Sequence, residues 1–473
     1  MKMPVFLKTA AVATVVLLLL SGCGATAVTT KTSAPAEAGA VAPGAVDAVD
    51  AQWWRSFGSA ELDGLVEQAG AQGFDVAAAA ARVRQAEASA RMAGAALWPG
   101  VTAGLDAARQ GRLGGEASVT GSSFAASLSA SYELDFWGGQ RAGRDGAVAR
   151  LHASRFERDT VRLTTTAGVA NAWLQAVSLR ERVAIGTRNL DNAQRVLALV
   201  EARARAGAAT PLELAQQRGL VASQQRTLAA LQQQSGDART ALAVLAGRPA
   251  VGFDVAAASL DGLNEPGVGA GLPSDLLARR PDIARAEALL GAADADITAA
   301  RAAMLPRVTL GAGVGMANGR LRALFDSPLY SLAAGLAAPI FDAGRLAAGR
   351  DLAVARREEL LAGYRAAVVA AFGDAATALD AVSAIDRQRD AQAQALAQAR
   401  RAFMLAQSRY RAGAETLLVL LDAQRTLHAA QDASVQLKAL RLQASVALYR
   451  ALGGGWQPTL PAVPALAHAQ APS

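Results

Sequence analysis

Two hydrophobic periods run along this chain, and each occurs twice. Val435, Ala439, Leu442, Val446 and Tyr449 are spaced four, three, four and three apart, the seam of a coiled-coil helix. Residues 345–412 contain no proline over 68 positions, about 100 Å of helix at 1.5 Å per residue. Residues 143–206 give 64 positions, or about 96 Å. Globular helices rarely pass ~20 residues, so these read as coiled-coil rods. Shorter helices are expected at 75–98 and 210–247 around the first rod, and at 275–305 and 416–451 around the second. In each copy the two flanking lengths nearly add up to the rod. That predicts two short helices stacked end to end beside one long antiparallel helix. Gly207 and Gly413 fall where the rods must reverse.

The second period is two. Val308, Leu310, Ala312, Val314 and Met316 alternate with Thr309, Gly311, Gly313 and Gly315, as in a strand with one apolar and one wet face. Strands are expected at 101–107, 124–136, 308–316 and 329–341, with both hairpin loops at one end and the helices at the other. Tilted runs of about 9–11 residues cross a bilayer. Four strands leave two open edges, which lipid does not tolerate. Outer-membrane barrels start at about eight strands. Two chains would supply eight and three would supply twelve, so a spanning form must be an oligomer.

Landmarks repeat in order at nearly one offset. Arg144-Asp-Gly-Ala-Val-Ala-Arg150 returns as Arg350-Asp-Leu-Ala-Val-Ala-Arg356, and Arg205-Ala-Gly-Ala-Ala-Thr210 as Arg411-Ala-Gly-Ala-Glu-Thr416, both 206 residues on. The chain therefore divides into a signal peptide (1–22), a lipidated tether (23–52), repeat one (53–249), a connector (250–271), repeat two (272–453) and a tail (454–473).

Composition sharpens this picture. Alanine supplies 118 of 473 residues while aromatics make up 5%, a composition for closely packed helices. The formal charge is +7, two of it from Lys2 and Lys8, and basic residues lie scattered among acidic ones, so no nucleic-acid partner is expected. Cys23 is the only cysteine, which excludes a disulfide within the chain. His152, His428 and His468 share no metal-ligand spacing, so no metal site is expected. Catalytic fingerprints are missing, and no catalytic residue is assigned. Gly311, Gly313 and Gly315 alternate along a strand and are not a phosphate loop.

The start of the chain explains the cysteine. Lys2 and Lys8 precede an apolar run from Ala10 to Leu20, too short to span a membrane, and then Leu20-Ser21-Gly22-Cys23. The last four residues resemble a bacterial lipobox, whose cysteine becomes the lipidated first residue. Gly24, where Asp would favour retention at the inner membrane, points to the outer membrane. A covalent lipid on Cys23 is expected, and no cofactor. Three classes compete for such a chain: a passive export duct, a periplasmic coiled-coil adaptor or structural lipoprotein, and an enzyme. An adaptor would carry one helical hairpin among soluble β domains, not two copies each with a strand pair.

Trp53-Trp54…Phe57, Leu276-Leu277-Ala278-Arg279-Arg280-Pro281-Asp282-Ile283 and Arg409-Tyr410-Arg411-Ala412-Gly413…Leu421-Asp422-Ala423-Gln424-Arg425 resemble the outer-membrane factor (TolC-like) family of bacterial efflux systems. More narrowly, they are similar to its OprM-like lipoprotein branch. The resemblance implies a mainly α fold with a transmembrane β-barrel: a long α-helical coiled-coil barrel, and a homotrimer closing twelve strands in outer-membrane lipid. It implies a passive channel and not an enzyme, one that carries drugs or other small molecules from a periplasmic adaptor and an RND-type inner-membrane pump. It also implies a periplasmic gate at Asp422, Arg409 and Tyr410, with Glu213 a further acidic candidate. Gly207, Ala208 and Thr210, with Gly413, Ala414 and Thr416, would be the adaptor-docking tip. Copy one departs from the Asp-Ala-Gln-Arg pattern, reading Glu213-Leu-Ala-Gln-Gln-Arg218.

Overall fold

The computed structural model describes residues 50–111, 113–114, 121–267 and 279–457. The expected signal peptide, Cys23, Leu276 to Ala278 and most of the tail lie outside them. A short 3-10 turn at Trp53–Phe57 leads into α1 (Ala60–Gln72) and α2 (Phe74–Ala95). Strands β1 (Gly100–Gln110) and β2 (Gly121–Leu134) follow, then the rod α3 (Gly139–Arg205) and α4 (Pro211–Leu245). The second half runs α5 (Pro281–Ala302), β3 (Arg307–Asn318), β4 (Pro328–Ala337), the rod α6 (Arg345–Arg411) and α7 (Leu417–Ala451). Both rods have 67 residues, α4 and α7 both have 35, and α2 and α5 both have 22.

The expected end-to-end stacking holds, but the lengths close less tightly than the sequence suggests. Helices of 22 and 35 residues fall ten short of a rod of 67. The helix expected over 275–305 is broken at Arg280, which is extended (φ −109°, ψ 121°) because Pro281 follows it. The missing turns go into a joint. Ile283 packs on Val368 and Ala371 of α6, and Leu448, Ala451 and Leu452 pack just beyond, on Ala375 and Ala378. Arg280 bridges the joint, donating to Asp282, to Asp374 of α6 (3.1 Å) and to the Ala451 carbonyl (3.3 Å). A left-handed glycine closes each joint. Gly247 sits against the Gln72 carbonyl, and Gly453, 206 residues later, against that of Arg279.

One core welds the halves together. Trp53 stacks on Tyr449 with centroids 5.0 Å apart, and both share a cluster with Phe57, Leu62, Trp173, Leu242 and Leu442. The connector crosses this level as a strap. Glu61 accepts from the Ala256 and Ala257 amides and Glu181 from Leu260, while Asp261 and Glu265 pair with Lys438 (2.5 Å) and Arg389 (2.7 Å). These ties reach α1, α3, α6 and α7, so the connector spans both repeats.

His428 on α7 is half-buried, and its Nδ1 lacks a partner. Burial pushes its pKa down to about 4. As pH falls through about 6.5 the unfolded chain takes up a proton that the folded chain refuses until about 4, so stability is lost across that window. Acidification from pH 7 to 4.5 should therefore cost about 2 kcal/mol through this side chain, after allowing for solvent screening. Thermal denaturation at both pH values checks this, and His428→Gln should flatten the difference; an unchanged difference excludes His428 as its source.

Candidate functional site: the hairpin tip and the sheet

Both helical hairpins end in one turn built twice. Gly207 and Gly413 each have φ 72°, and the next amides, Ala208 and Ala414, donate back to the Arg203 and Arg409 carbonyls at 2.8 and 2.9 Å. This bonding satisfies carbonyls at the helix end and requires φ above zero at the glycine. The restarts differ. Thr210 and Glu213 form a capping box, with the Glu213 amide on Thr210 Oγ1 (3.2 Å) and the Thr210 amide on Glu213 Oε2 (2.7 Å). The carboxylate proposed from sequence as a second acidic gate residue is thus held at its own helix cap. Thr416 makes no side-chain cap; its amide donates to Glu415 Oε1 (3.1 Å). Arg409 is tied across the same turn, with Nε 3.5 Å from Glu415 Oε2 and Nη2 donating to the Ala414 carbonyl (3.4 Å).

Tyr410 points the other way. It is 1% exposed, in a cluster with Val196, Val200, Leu220, Leu417 and Leu420 that joins both hairpin tips. Arg203 of the first rod holds it from above. The guanidinium carbon lies 4.7 Å from the ring centroid, and Nη1 donates to the Tyr410 carbonyl at 2.8 Å. Burial pushes the Tyr410 hydroxyl up from its ordinary pKa, with Arg203 opposing. That hydroxyl has no partner among the described residues. Sequence reasoning passed over Arg203, although it stands 206 residues before Arg409 and the repeat itself was the signal.

Asp422 is the sixth residue of α7 and is exposed. Its side chain has no hydrogen bond or ion pair among the described residues, nor does Arg425 three residues on. A salt bridge along its own helix is therefore not what Asp422 makes. Two buried glutamines were also missed. Gln217 donates to the Ala193 carbonyl (2.8 Å), while its Oε1 and both amide atoms of Gln424 lack partners among the described residues. Gln424 follows Leu420 by four and precedes Leu427 by three, a polar residue set in the apolar seam, and that interruption could have revealed it.

At the other end the strands form one antiparallel sheet in the order β1-β2-β3-β4. The register separates two chemistries. Val101, Ala130, Ala312 and Leu332 form one row, Ala103, Leu128, Val314 and Tyr330 the next, and Leu105, Ala126, Met316 and Pro328 a third. The opposite face carries Thr102, Ser129, Gly313 and Ser331, with Thr102 Oγ1 2.8 Å from Ser129 Oγ. Along these rows one face is apolar and the other mostly small and polar. β1 and β4 each leave one edge unpaired, and every residue of β4 is exposed. Trp98, Phe136, Trp137, Ile340 and Phe341 crowd the strand bases, all exposed, as side chains do at a membrane interface. The rods are covered unequally: α3 buries 18 of its 67 residues and α6 only 7, although one stretch of α6 is apolar enough to pass for a membrane span.

A family model described as outer membrane efflux protein matches residues 65–248 and again 272–454. Among curated proteins, the chain is 52% identical over 421 residues to the pyoverdine export outer membrane protein OpmQ of Pseudomonas putida, covering 87% of this chain and 90% of that one. It is 51% identical over 458 residues to OpmQ of Pseudomonas aeruginosa, covering 93% and 95%. Among solved structures, it is similar to the open state of the Neisseria gonorrhoeae MtrE outer membrane channel, with a TM-score of 0.77, 30% identity, and coverage of 84% and 90%.

Proposed function

This chain belongs to the outer membrane efflux protein family, and from that premise we propose that three copies close one duct from the periplasm through the outer membrane. It is an outer-membrane efflux channel subunit and not an enzyme. The observation that carries the trimer is the sheet with two open edges, one face apolar across its middle rows and an uncovered flank of α6 beneath it. A lipid-facing edge leaves backbone groups unpaired at a cost of several kcal/mol each, so β4 of one copy must pair with β1 of the next. Three copies give twelve strands, within the range of closed barrels. The polar face of Thr102, Ser129 and Ser331 would then line the lumen, and α6 would pack against a neighbour's rod.

The periplasmic adaptor docks on the turns at Gly207, Ala208 and Thr210 and at Gly413, Ala414 and Thr416, delivering cargo from the inner-membrane pump. Asp422, unpaired among the described residues, faces its two symmetry mates at the gate, with Arg409 and Tyr410 holding the tip. Cys23 carries the lipid, and two or more acyl chains give stable anchoring. Pyoverdine or a compound of its class is the cargo, an assignment supported by the two OpmQ relatives. Expression in a strain lacking its own pyoverdine export channel should restore pyoverdine release. Native mass spectrometry of the same protein should give a trimer with a lipid on every Cys23. A monomer or dimer sinks the duct, and trimers without restored release sink the cargo.

A further inference from the structure

We propose that the outer rim of the sheet carries a phosphate-binding arginine pair, Arg109 and Arg320, which holds a phosphorylated glycolipid of the outer leaflet. The proposal rests on the reading that the sheet spans the outer membrane with its hairpin loops outward. Arg109 pairs with Ser122 across β1 and β2. On the far side Phe124 pairs with Asn318, so two residues further Ser122 is level with Arg320, whose backbone is still extended (φ −126°, ψ 130°). A Cβ on the intervening Gly319 would lie 3.5 Å from the Ser122 carbonyl, so the two segments still run side by side there. The two arginines therefore flank Ser122 in one cross-strand row, with Cα atoms about 10 Å apart at ~4.8 Å per strand.

Parity puts this row on the apolar face. Arg109 follows Val101, Ala103, Leu105 and Ala107 at steps of two, and Arg320 follows Val314, Met316 and Asn318. Both arginines are exposed, as is Arg322 two residues on, and none forms an ion pair among the described residues. Asp326, the one carboxylate among the described residues of that loop, pairs with none of them. An unpaired arginine on a lipid face is costly at mid-bilayer and nearly free of cost near the interface, so its place is the headgroup level. There a guanidinium fork matches a phosphate oxygen pair, a strong charge-assisted contact. Beneath it, Leu105, Ala126 and Met316 offer a continuous apolar row for acyl chains. The strand bases carry exposed tryptophan and phenylalanine in the corresponding place, so the two ends of the sheet address different lipids. Because the arginines share the lipid face and not the polar one, the phosphate they fit belongs to a membrane lipid and not to cargo.

The test uses the full-length protein, wild type and Arg109→Ala/Arg320→Ala, in detergent. Binding is titrated with bisphosphorylated lipid A, with its dephosphorylated form and with inorganic phosphate, and planar-bilayer conductance is recorded on the same preparations. The double variant should bind bisphosphorylated lipid A at least tenfold more weakly, with conductance unchanged. Dephosphorylated lipid should bind wild type no better than it binds the variant, and millimolar phosphate should fail to displace the glycolipid. Equal binding by variant and wild type overturns the proposal, as does full displacement by free phosphate. A wild type that forms no channels overturns the membrane reading beneath it.

Discussion

Tyr410→Ala is expected to raise the single-channel conductance of the reconstituted protein several-fold while trimers remain intact. Tyr410 is 1% exposed and packs against residues from both hairpins, so truncation leaves a cavity where the two tips meet. Emptying a large aromatic from a core costs about 3–5 kcal/mol, and Arg203 also loses the ring beneath it. Tyr410→Phe separates packing from hydrogen bonding. The hydroxyl has no partner, so this variant should conduct as wild type does. Asp422→Ala and Arg409→Ala act on exposed groups and should give smaller increases, with Asp422→Ala also weakening divalent-cation block from the periplasmic side. Planar-bilayer recordings decide it. Unchanged conductance in Tyr410→Ala would mean that the inter-hairpin contact does not restrain the tip.

Gly453→Ala is expected to remove most of the folded protein from the membrane, a loss of several kcal/mol. Gly453 has φ 85°, and an added Cβ would fall inside the carbonyl group of Arg279, a backbone atom that cannot swing away. Gly413→Ala is the control. It has φ 72° with nothing within 4 Å of the added carbon, so it pays only the backbone strain of about 1–2 kcal/mol. Arg280→Ala should fall between them, because its half-buried guanidinium bridges α5 to Asp374 and the end of α7. The amount of protein in outer-membrane fractions, with melting of the detergent-solubilised form, ranks the three. Gly453→Ala behaving like Gly413→Ala would show that the joint yields instead of breaking.

These two sites differ in how far they could be read from sequence. Arg409, Tyr410 and Asp422 were named from a motif, but the motif did not distinguish their surroundings. Arg409 closes on its own turn, Tyr410 is core, and Asp422 is unpaired among the described residues. The Leu-Ala-Arg-Arg-Pro-Asp motif was likewise visible, yet its work at a joint between stacked helices was not. Arg280 meets Asp374 and Ala451, 94 and 171 positions further along the chain, only once the chain has folded back.

The sequence by itself determined every feature that depends on neighbours within a few residues. Heptad spacing and the lack of proline produced two rods, alternation produced strands with two chemistries, and glycine with positive φ produced the reversals. The 206-residue offset determined that all this happens twice. Tertiary structure alone decided which surfaces meet: β2 beside β3, Arg203 over Tyr410, Gly453 on Arg279, and the connector strapped across both repeats. Periodicity says which face of an element is apolar, but many other apolar faces could cover it equally well. The choice is made by the register of one rod against another, and the joints and the shared aromatic core, built from residues hundreds of positions apart, set that register.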